Sequence, residues 1–392
     1  MFRPLTFVSL LSLVYPAIAS SCAIFDAQFN LYVLGLGGKD WNAGQQESWT
    51  SGTAQDITTS GRPPFDGANT TCYLAQFSNA IYVMNGDASK PSDVHIYNAG
   101  SKSWSTQAVT TGTFDPSSFD AILDHDTNVF YALSKGELFF LDMGSLVTAN
   151  SSALSWTDVE KSPFPADYQP VMALAQNHVH FLDVPGTPAG DANIFVIHFS
   201  FFQPDPQSYP LPDGSTFPAT HGQTTSFFQS SGVQQEFAFI PDDGSATYVI
   251  NVESNSTQSL AGPSTKDAAA TYAASITALV QLDSKGAVSF LPYKQGDEAT
   301  NSKAAWASVA NIAAAVPAGS TSTSGSSNSS TTKGSNGSNS STSTGSGSGS
   351  GSGNSSSTNG SGNASSAVST GIRSIDIALF VGGTMTLLAA ML

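Results

Sequence analysis

The chain has 392 residues, enough for one sizeable hydrophobic core, and 29 aspartate and glutamate residues against 13 lysine and arginine residues give it a formal net charge of −16. A surface of this sign repels nucleic-acid phosphates and anionic lipid headgroups. The composition therefore argues against nucleic-acid binding and against attachment to a membrane through surface charge.

The first 19 residues have the organisation of a secretory signal peptide. Arg3 is their one charged residue, a mostly apolar stretch covers residues 5–15, and Ala17 and Ala19 form the small-x-small pattern that signal peptidase accepts. We expect residues 1–19 to be removed and the mature chain to begin near Ser20.

A repeat of about 50 residues organises the chain that follows. One asparagine recurs every 49 residues, in a polar turn between two apolar runs of strand length: Asn30, Asn79, Asn128 and Asn177. A third apolar run is found in most of these units, and an aromatic residue closes each of them: Trp49, Trp104, Trp156 and Tyr209. Four strands per unit of this length are typical of a propeller blade.

Two units with weaker similarity follow, over residues 227–260 and 271–309. The predicted fold is therefore all-β. Residues 20–316 should form a β-propeller of six four-stranded blades, or of seven if residues 37–71 contain a further blade. The alanine-rich residues 268–274 are predicted to be a strand, and residues 304–315 are compatible with helix or strand.

The order of elements resembles that of kelch-like and galactose-oxidase-type propellers, in which a strand hairpin precedes a tyrosine such as Tyr97 and a closing tryptophan. The resemblance covers about 295 residues, and the paired glycines of kelch repeats occur at Gly37–Gly38 alone. The copper-radical members of that group carry a cysteine cross-linked to tyrosine, and we assign no such pair here. With both termini and the tail considered, the chain resembles fungal cell-surface propeller proteins.

Cys22 and Cys72 are the two cysteines of the chain and occupy matching positions in the first two units. A lone pair of cysteines in an oxidising secretory compartment is expected to form a disulfide. The open question is distance, because equivalent positions on neighbouring inner strands can exceed the roughly 7 Å between Cα atoms that a disulfide spans.

Two clusters of side chains have the composition of chemical sites. His178 and His180 alternate on one strand and share a face, and Asp183 follows, so the three are candidate metal ligands. The alternative is a blade strand with two polar residues toward the channel or solvent. In residues 124–126, aspartates flank a histidine, which suits either a general base or a β-turn. We expect the turn.

Acidic residues also recur after the second strand of successive units: Asp87, Asp93, Asp183, Asp191, Asp242 and Asp243. Such carboxylates suit calcium, which six-bladed lactonases and esterases hold centrally, but their spacing is irregular and solvated loop acids are the expectation. The aromatic residues Trp41, Tyr97, Phe201 and Phe202 could stack on sugar rings or could fill the space between blades.

Residues 317–365 consist almost entirely of Ser, Thr, Gly and Asn, a composition that cannot bury enough apolar surface to order itself. We expect a disordered, glycosylated stalk. Nine Asn-x-Ser/Thr sequons are present. Those of the propeller region, at Asn69, Asn150 and Asn255, are the predicted N-glycosylation sites there.

Residues 366–392 have the organisation of a signal for a glycosylphosphatidylinositol anchor. Small residues at Asn363 to Ser365 suit the attachment site, a short polar spacer follows, and an apolar segment ends the chain. We predict attachment at Asn363, with Gly360 and Ser366 as alternatives. A transmembrane helix is the competing interpretation, but the apolar run is shorter than the roughly 20 residues that spanning needs.

The sequence thus predicts a monomeric glycoprotein at the extracellular face of the plasma membrane or in the cell wall, held by a lipid. Its expected role is non-catalytic binding of a cell-wall glycan or surface protein, without a cofactor. The alternative is a hydrolase or lactonase with a metal in the central channel.

Overall fold

The computed structural model describes residues 20–316, which form a six-bladed β-propeller of four-stranded antiparallel sheets. The innermost strand of each blade contacts that of the next, and the last blade contacts the first, so the ring is closed. The predicted signal peptide, stalk, anchor signal and attachment residue Asn363 lie outside the described residues.

The strands follow one another in chain order within each blade. Blade 1 contains β1 (Cys22–Phe25), β2 (Leu31–Leu34), β3 (Trp41–Gly44) and β4 (Gln55–Asp56); blade 2 contains β5 (Thr71–Ala75), β6 (Ala80–Met84), β7 (Val94–Asn98) and β8 (Ser103–Gln107). A short strand, β9 (Val109–Thr110), follows blade 2. Blade 3 contains β10 (Asp120–Asp124), β11 (Val129–Ser134), β12 (Glu137–Asp142) and β14 (Thr157–Lys161). Between β12 and β14, the short strand β13 (Leu154–Ser155) pairs with β9.

The other three blades repeat this plan. Blade 4 contains β15 (Val171–Ala175), β16 (His178–Leu182) and β17 (Asp191–Val196), and two short strands that both pair with β17 take the place of its fourth strand, β18 (Phe201–Phe202) and β19 (Gln207–Ser208). Blade 5 contains β20 (Gly222–Ser226), β21 (Glu236–Pro241), β22 (Ala246–Asn251) and β23 (Ser256–Ala261). Blade 6 contains β24 (Thr271–Ala274), β25 (Ala278–Leu282), β26 (Val288–Pro292) and β27 (Ala307–Ser308), with the short helices α1 (Glu298–Asn301) and α2 (Ala310–Ala315). Residues 37–71 hold β3, β4 and a connection, so there is no seventh blade among the described residues.

The recurring asparagines occupy equivalent places, in the turn between the first two strands of blades 1 to 4. Asn79, Asn128 and Asn177 adopt the left-handed conformation, with φ of 51°, 59° and 55°, which asparagine tolerates better than most residues. In blade 1 the preceding residue, Phe29, adopts it instead, with φ of 59°.

The same asparagine side chains also tie each blade to the one before it. Asn79 Oδ1 accepts a hydrogen bond from the Ala27 amide at 2.9 Å, and Asn128 Nδ2 donates to the Tyr82 hydroxyl at 2.8 Å. Asn177 Nδ2 lies 3.0 Å from an Asp126 carboxylate oxygen in the same manner. The 49-residue spacing therefore reflects a contact between blades as well as a turn.

The closing aromatic residues fill the interfaces between blades. Trp49 is 1% exposed and packs edge-on against Phe290 of blade 6 with ring centroids 5.0 Å apart, while Trp156 stacks on Phe114 at 4.1 Å. Each ring covers the apolar face of a neighbouring sheet, which four-stranded blades must bury to be stable.

Two connections fasten blade 1. Cys22 and Cys72 form a disulfide between β1 and β5, as predicted, with their Cα atoms 6.0 Å apart, within the distance a disulfide spans. At the other end of the described chain, Asn311 of α2 donates through Nδ2 to the carbonyls of Ala43 at 2.8 Å and Ser48 at 2.9 Å. These bonds join the end of blade 6 to blade 1.

Candidate functional site

The six innermost strands surround a central channel with a cavity of about 830 Å³. Every blade contributes residues to its lining, and many are polar: Thr71, Asp120, Gln169, His221, Gln223, Thr225 and Thr271 among them. Because the channel is bounded by the unpaired inner edges of six sheets, backbone hydrogen-bonding groups border it together with these side chains.

Side chains from neighbouring blades satisfy part of this inner edge. The Met172 amide donates to Asp120 Oδ2 at 2.9 Å, and the hydroxyl of Thr224 donates to the Met172 carbonyl. Ser226 Oγ donates to the carbonyl of Leu174 at 2.6 Å. The innermost strands of blades 3, 4 and 5 are thus joined to one another across the blade boundaries.

Acidic residues and a histidine gather at the end of the channel where the innermost strands begin. His221 precedes β20, and its Nδ1 lies 2.9 Å from Asp242 Oδ2, in the turn after β21. Asp120 is the first residue of β10, and Asp183 follows β16 at the same end of blade 4. We call His221, Asp242, Asp120 and Asp183 the acidic mouth.

Two carboxyls of the acidic mouth have raised pKa values. Burial raises the pKa of Asp120 to about 6, against hydrogen bonds from two backbone amides and the charge of His221, which lower it. Burial and the charge of Asp242 likewise raise the pKa of Asp183, while His221 lowers it. The Asp120 carboxyl therefore changes its charge near pH 6.

The opposite end of the channel is covered by an aromatic side chain. Phe228 lies in the long turn between β20 and β21 of blade 5, yet its ring centroid is 5.8 Å from that of Phe29 in blade 1 and 6.2 Å from that of His125 in blade 3. Phe228 thus reaches across the axis. We call Phe228, Phe29 and His125 the aromatic plug, and it makes the channel a pocket entered from the acidic mouth.

The proposed metal ligands do not come together. His180 is 2% exposed and packs against Phe237 and Tyr209 between blades 4 and 5, where burial lowers its pKa to about 3. His178 is half-buried on the same strand face, and Asp183 belongs to the acidic mouth. Over residues 20–316, no group of three or more His, Cys, Asp and Glu side chains is arranged to hold a metal ion.

Asp124 ends β10, and His125 and Asp126 lie in the turn that follows, in agreement with the turn interpretation. Thr127 Oγ1 donates to Asp124 Oδ2 at 2.6 Å, and the Asn128 amide donates to the Asp124 carbonyl at 2.7 Å. His125 is 5% exposed and contributes to the aromatic plug. This histidine lines the channel, but at the end opposite His221.

Two of the acidic residues that were expected to be solvated loop acids lie at the end of the channel. Asp183 and Asp242 reach the acidic mouth, whereas Asp87 accepts local hydrogen bonds from the amide and hydroxyl of Ser89 at 2.8 and 2.6 Å, as a turn aspartate does. Two of the aromatic residues considered for sugar stacking are buried, since Trp41 is 7% and Tyr97 1% exposed. Both belong to the core, in agreement with the alternative that they fill the space between blades; Phe201 is exposed on blade 4.

The predicted sequon residues Asn69, Asn150 and Asn255 are all exposed. Asn69 and Asn255 have left-handed backbone, and Asn69 lines the central cavity. Glycosylation at these three positions stays a prediction.

Sequence reasoning missed Asp120, His221 and Phe228. The available signal was position: Thr71 and Asp120 begin the innermost strands of blades 2 and 3 and are 49 residues apart, like the turn asparagines. Phe228 carries no such signal, because the turn of blade 5 is longer than the others. His221 precedes that turn, and its separation from Asp120 is not a multiple of 49 residues.

No protein-family model matches the chain, and no curated protein sequence matches it. Among solved structures, a streptogramin B lyase structure aligns with 11% sequence identity and a TM-score of 0.40, over 73% of this chain and 87% of that chain. Because this similarity is low, the assignment of the fold depends on the strand pairing and ring closure described above. No helix within residues 20–316 has the length and apolar character to cross a membrane.

Proposed function

We propose that this protein is a non-catalytic, glycan-binding propeller of the cell surface that takes the end of a glycan chain into its central channel. One observation carries the proposal: a polar cavity of about 830 Å³, contributed by all six blades, is entered through the acidic mouth and covered at its far end by Phe228. Ligand sites in proteins typically enclose roughly 300–1,000 Å³.

The chemistry of the lining suits a polyhydroxylated ligand. Sugar hydroxyls both donate and accept hydrogen bonds, and the channel offers carboxylates, hydroxyls, an amide and strand-edge backbone groups. Gln223 lines the cavity and its side chain forms no hydrogen bond with the other residues from 20 to 316. Its amide is therefore available to a ligand. A folded protein surface would not enter a channel, which favours the glycan over a protein partner.

A glycan array probed with purified protein tests this proposal. Gln223→Ala should weaken binding to the selected glycan several-fold, because it removes a donor and an acceptor from the channel. Gln203→Ala is the matched control, since Gln203 is also partly buried and free of side-chain hydrogen bonds within the described chain but lies outside the cavity. Absence of glycan binding, or equal losses in both variants, would contradict the proposal.

We further propose that the protein reaches the outer face of the plasma membrane through the secretory pathway and is held there by a glycolipid at Asn363, with residues 317–363 as spacer. The composition of both termini supports this. Phosphatidylinositol-specific phospholipase C should release the protein from intact cells, lacking residues 364–392. Retention of those residues by mass spectrometry would overturn the proposed anchor.

A second candidate is a hydrolase acting without a metal. The specific observation in its favour is the 2.9 Å contact between His221 and Asp242, because a carboxylate can orient a histidine that removes a proton from water. Asp120, with its raised pKa, would be the acid. For a metal-dependent hydrolase, residues 20–316 contain no set of three His, Cys, Asp or Glu side chains arranged to hold a metal ion. Turnover of the bound glycan that His221→Gln abolishes would favour the enzyme; stable binding without products would favour the binder.

A further inference from the structure

One of the exposed sequons lies at the channel rather than on the outer surface. Asn69 lines the cavity at the acidic mouth, two residues before β5 begins. Asn150 and Asn255 are absent from the cavity lining and lie in turns of blades 3 and 5. The position of Asn69 therefore distinguishes it from the other two.

The backbone around Asn69 is held firmly in place. Thr70 is 1% exposed; its amide donates to Ser20 Oγ at 3.1 Å and its hydroxyl to the Asn85 carbonyl at 2.8 Å. Gly67 approaches the backbone of Asn85 so closely that a Cβ atom there would lie 1.8 Å from the Asn85 carbonyl oxygen. The disulfide at Cys72 fixes the chain just beyond.

The side chain of Asn69 itself is free. It is exposed, and within the described chain it forms no hydrogen bond, whereas Asn150 Oδ1 accepts one from the Ser152 amide at 2.8 Å. A group attached to Asn69 Nδ2 would thus start from a rigid position beside the entrance and extend into the solvent in front of it.

We propose that Asn69 carries an N-linked glycan that stands at the acidic mouth and restricts the size of the ligands that enter the channel. The inference rests on the proposed secretory route and deepens the proposed function. In the attachment step, the Asn69 amide nitrogen forms a bond to the anomeric carbon of a lipid diphosphate-linked oligosaccharide. The bond from that carbon to the diphosphate breaks, and one amide proton is lost with the leaving diphosphate.

The test measures access to the channel without any ligand. Both native cysteines are in the disulfide, so Ser118→Cys introduces one free thiol at an exposed position of the cavity lining. Ser101→Cys, in the exposed turn between β7 and β8, is the control thiol. Labelling rates with a polymer-linked maleimide and with iodoacetamide are compared for protein secreted with its glycans and for the same protein after enzymatic glycan removal.

We expect mass spectrometry to find the glycan on the peptide containing Asn69. Its removal, or the substitution Asn69→Gln, should speed polymer–maleimide labelling of Ser118→Cys several-fold and leave iodoacetamide labelling and the control thiol unchanged. Asn150→Gln should have no effect. An unmodified Asn69, or labelling rates that do not respond to glycan removal, would overturn the inference. Because no ligand is used, this failure is separate from failure of the glycan array.

Discussion

At the scale of single residues, Asp120 combines a structural and a chemical role. Its two carboxylate oxygens accept hydrogen bonds from the backbone amides of Ala121, at 2.8 Å, and Met172, at 2.9 Å. The bond from Met172 joins blade 3 to blade 4 at the acidic mouth. Burial nevertheless penalises its charge and raises its pKa to about 6. The residue is therefore held by hydrogen bonds in a place that disfavours its ionised form.

Asp120 should make the stability of the protein depend on pH. Its pKa is about 6 in the folded chain and near 3.8 in the unfolded chain, so the folded state binds the extra proton between these values. Its contribution to the unfolding free energy should fall as the pH rises through that window, by up to about 3 kcal/mol. Denaturant unfolding of Asp120→Asn and wild type at pH 4 to 7 measures this.

The unfolding free energy of Asp120→Asn relative to that of the wild type should increase with pH, because asparagine carries no charge to bury. Asp115→Asn is the control: a hydrogen bond from Lys135 lowers the pKa of Asp115, so its difference from wild type should be constant between pH 5 and pH 7. A difference for Asp120→Asn that is equally constant would show that Asp120 is already ionised throughout.

The candidate site shows what sequence alone could not reach. The alternation of His178 and His180 correctly placed them on one face, but that face packs on Phe237 and Tyr209 of the interface between blades 4 and 5. Strand periodicity shows which side chains share a face, but whether that face meets a neighbouring blade or the channel depends on how the blades are arranged in the ring. For the same reason Asp120, whose partner Met172 is 52 residues away, was not recognised.

At the scale of elements, the repeat was readable where the turns are short. The asparagine turns of blades 1 to 4 and the closing aromatics predicted four-stranded units because the turn asparagine recurs every 49 residues. Blades 5 and 6 were found from apolar runs alone. Residues 304–315, left open between helix and strand, contain both β27 and α2.

The disulfide is the covalent link between two neighbouring innermost strands, β1 and β5. It closes a loop with a sequence separation of 50 residues, and on the chain-entropy model such a loop stabilises the folded state by about 4 kcal/mol. Cys22→Ala together with Cys72→Ala should lower the unfolding free energy by about that amount, measured by chemical denaturation.

The wild-type protein unfolded in the presence of a reductant is the control for the cavities that the two alanines leave. The reduced protein should lose most of the same free energy while both sulfur atoms remain. Equal denaturation midpoints for the oxidised and reduced proteins would show that the bond does not constrain the unfolded chain.

At the scale of the whole molecule, the ring has to hold its last blade to its first. Here β24 of blade 6 packs beside β1, Trp49 packs on Phe290, and Asn311 of α2 binds two carbonyls of blade 1. The disulfide lies one blade boundary further on. Two backbone hydrogen bonds add to this closure, from the Ala54 amide to the Asn311 carbonyl at 3.0 Å and from the Asn311 amide to the Trp49 carbonyl at 3.1 Å. Among the described residues, no blade is built from strands of both ends of the chain.

Removing the amide of Asn311 should weaken this closure. Asn311→Ala leaves the Ser48 carbonyl without its side-chain donor, whereas the Ala43 carbonyl still accepts from the Ser48 hydroxyl at 2.6 Å. An unsatisfied buried polar group costs about 1–3 kcal/mol. We expect a loss of that size in chemical denaturation, with faster hydrogen exchange in β1 and β24. Gln203→Ala, which removes an amide that bonds no described residue, should change neither. A silent Asn311→Ala would show that the ring closes without the Asn311 side chain.

The central claim is that the channel between the acidic mouth and the aromatic plug is the ligand site. A crystal structure of the protein with the tightest glycan from the array tests it most directly. We predict sugar density inside the channel, beside Asp120 and Gln223 and ending before Phe228. Density for the sugar on the outer strands or on an exposed face of a blade, with the channel free of ligand, would contradict the account.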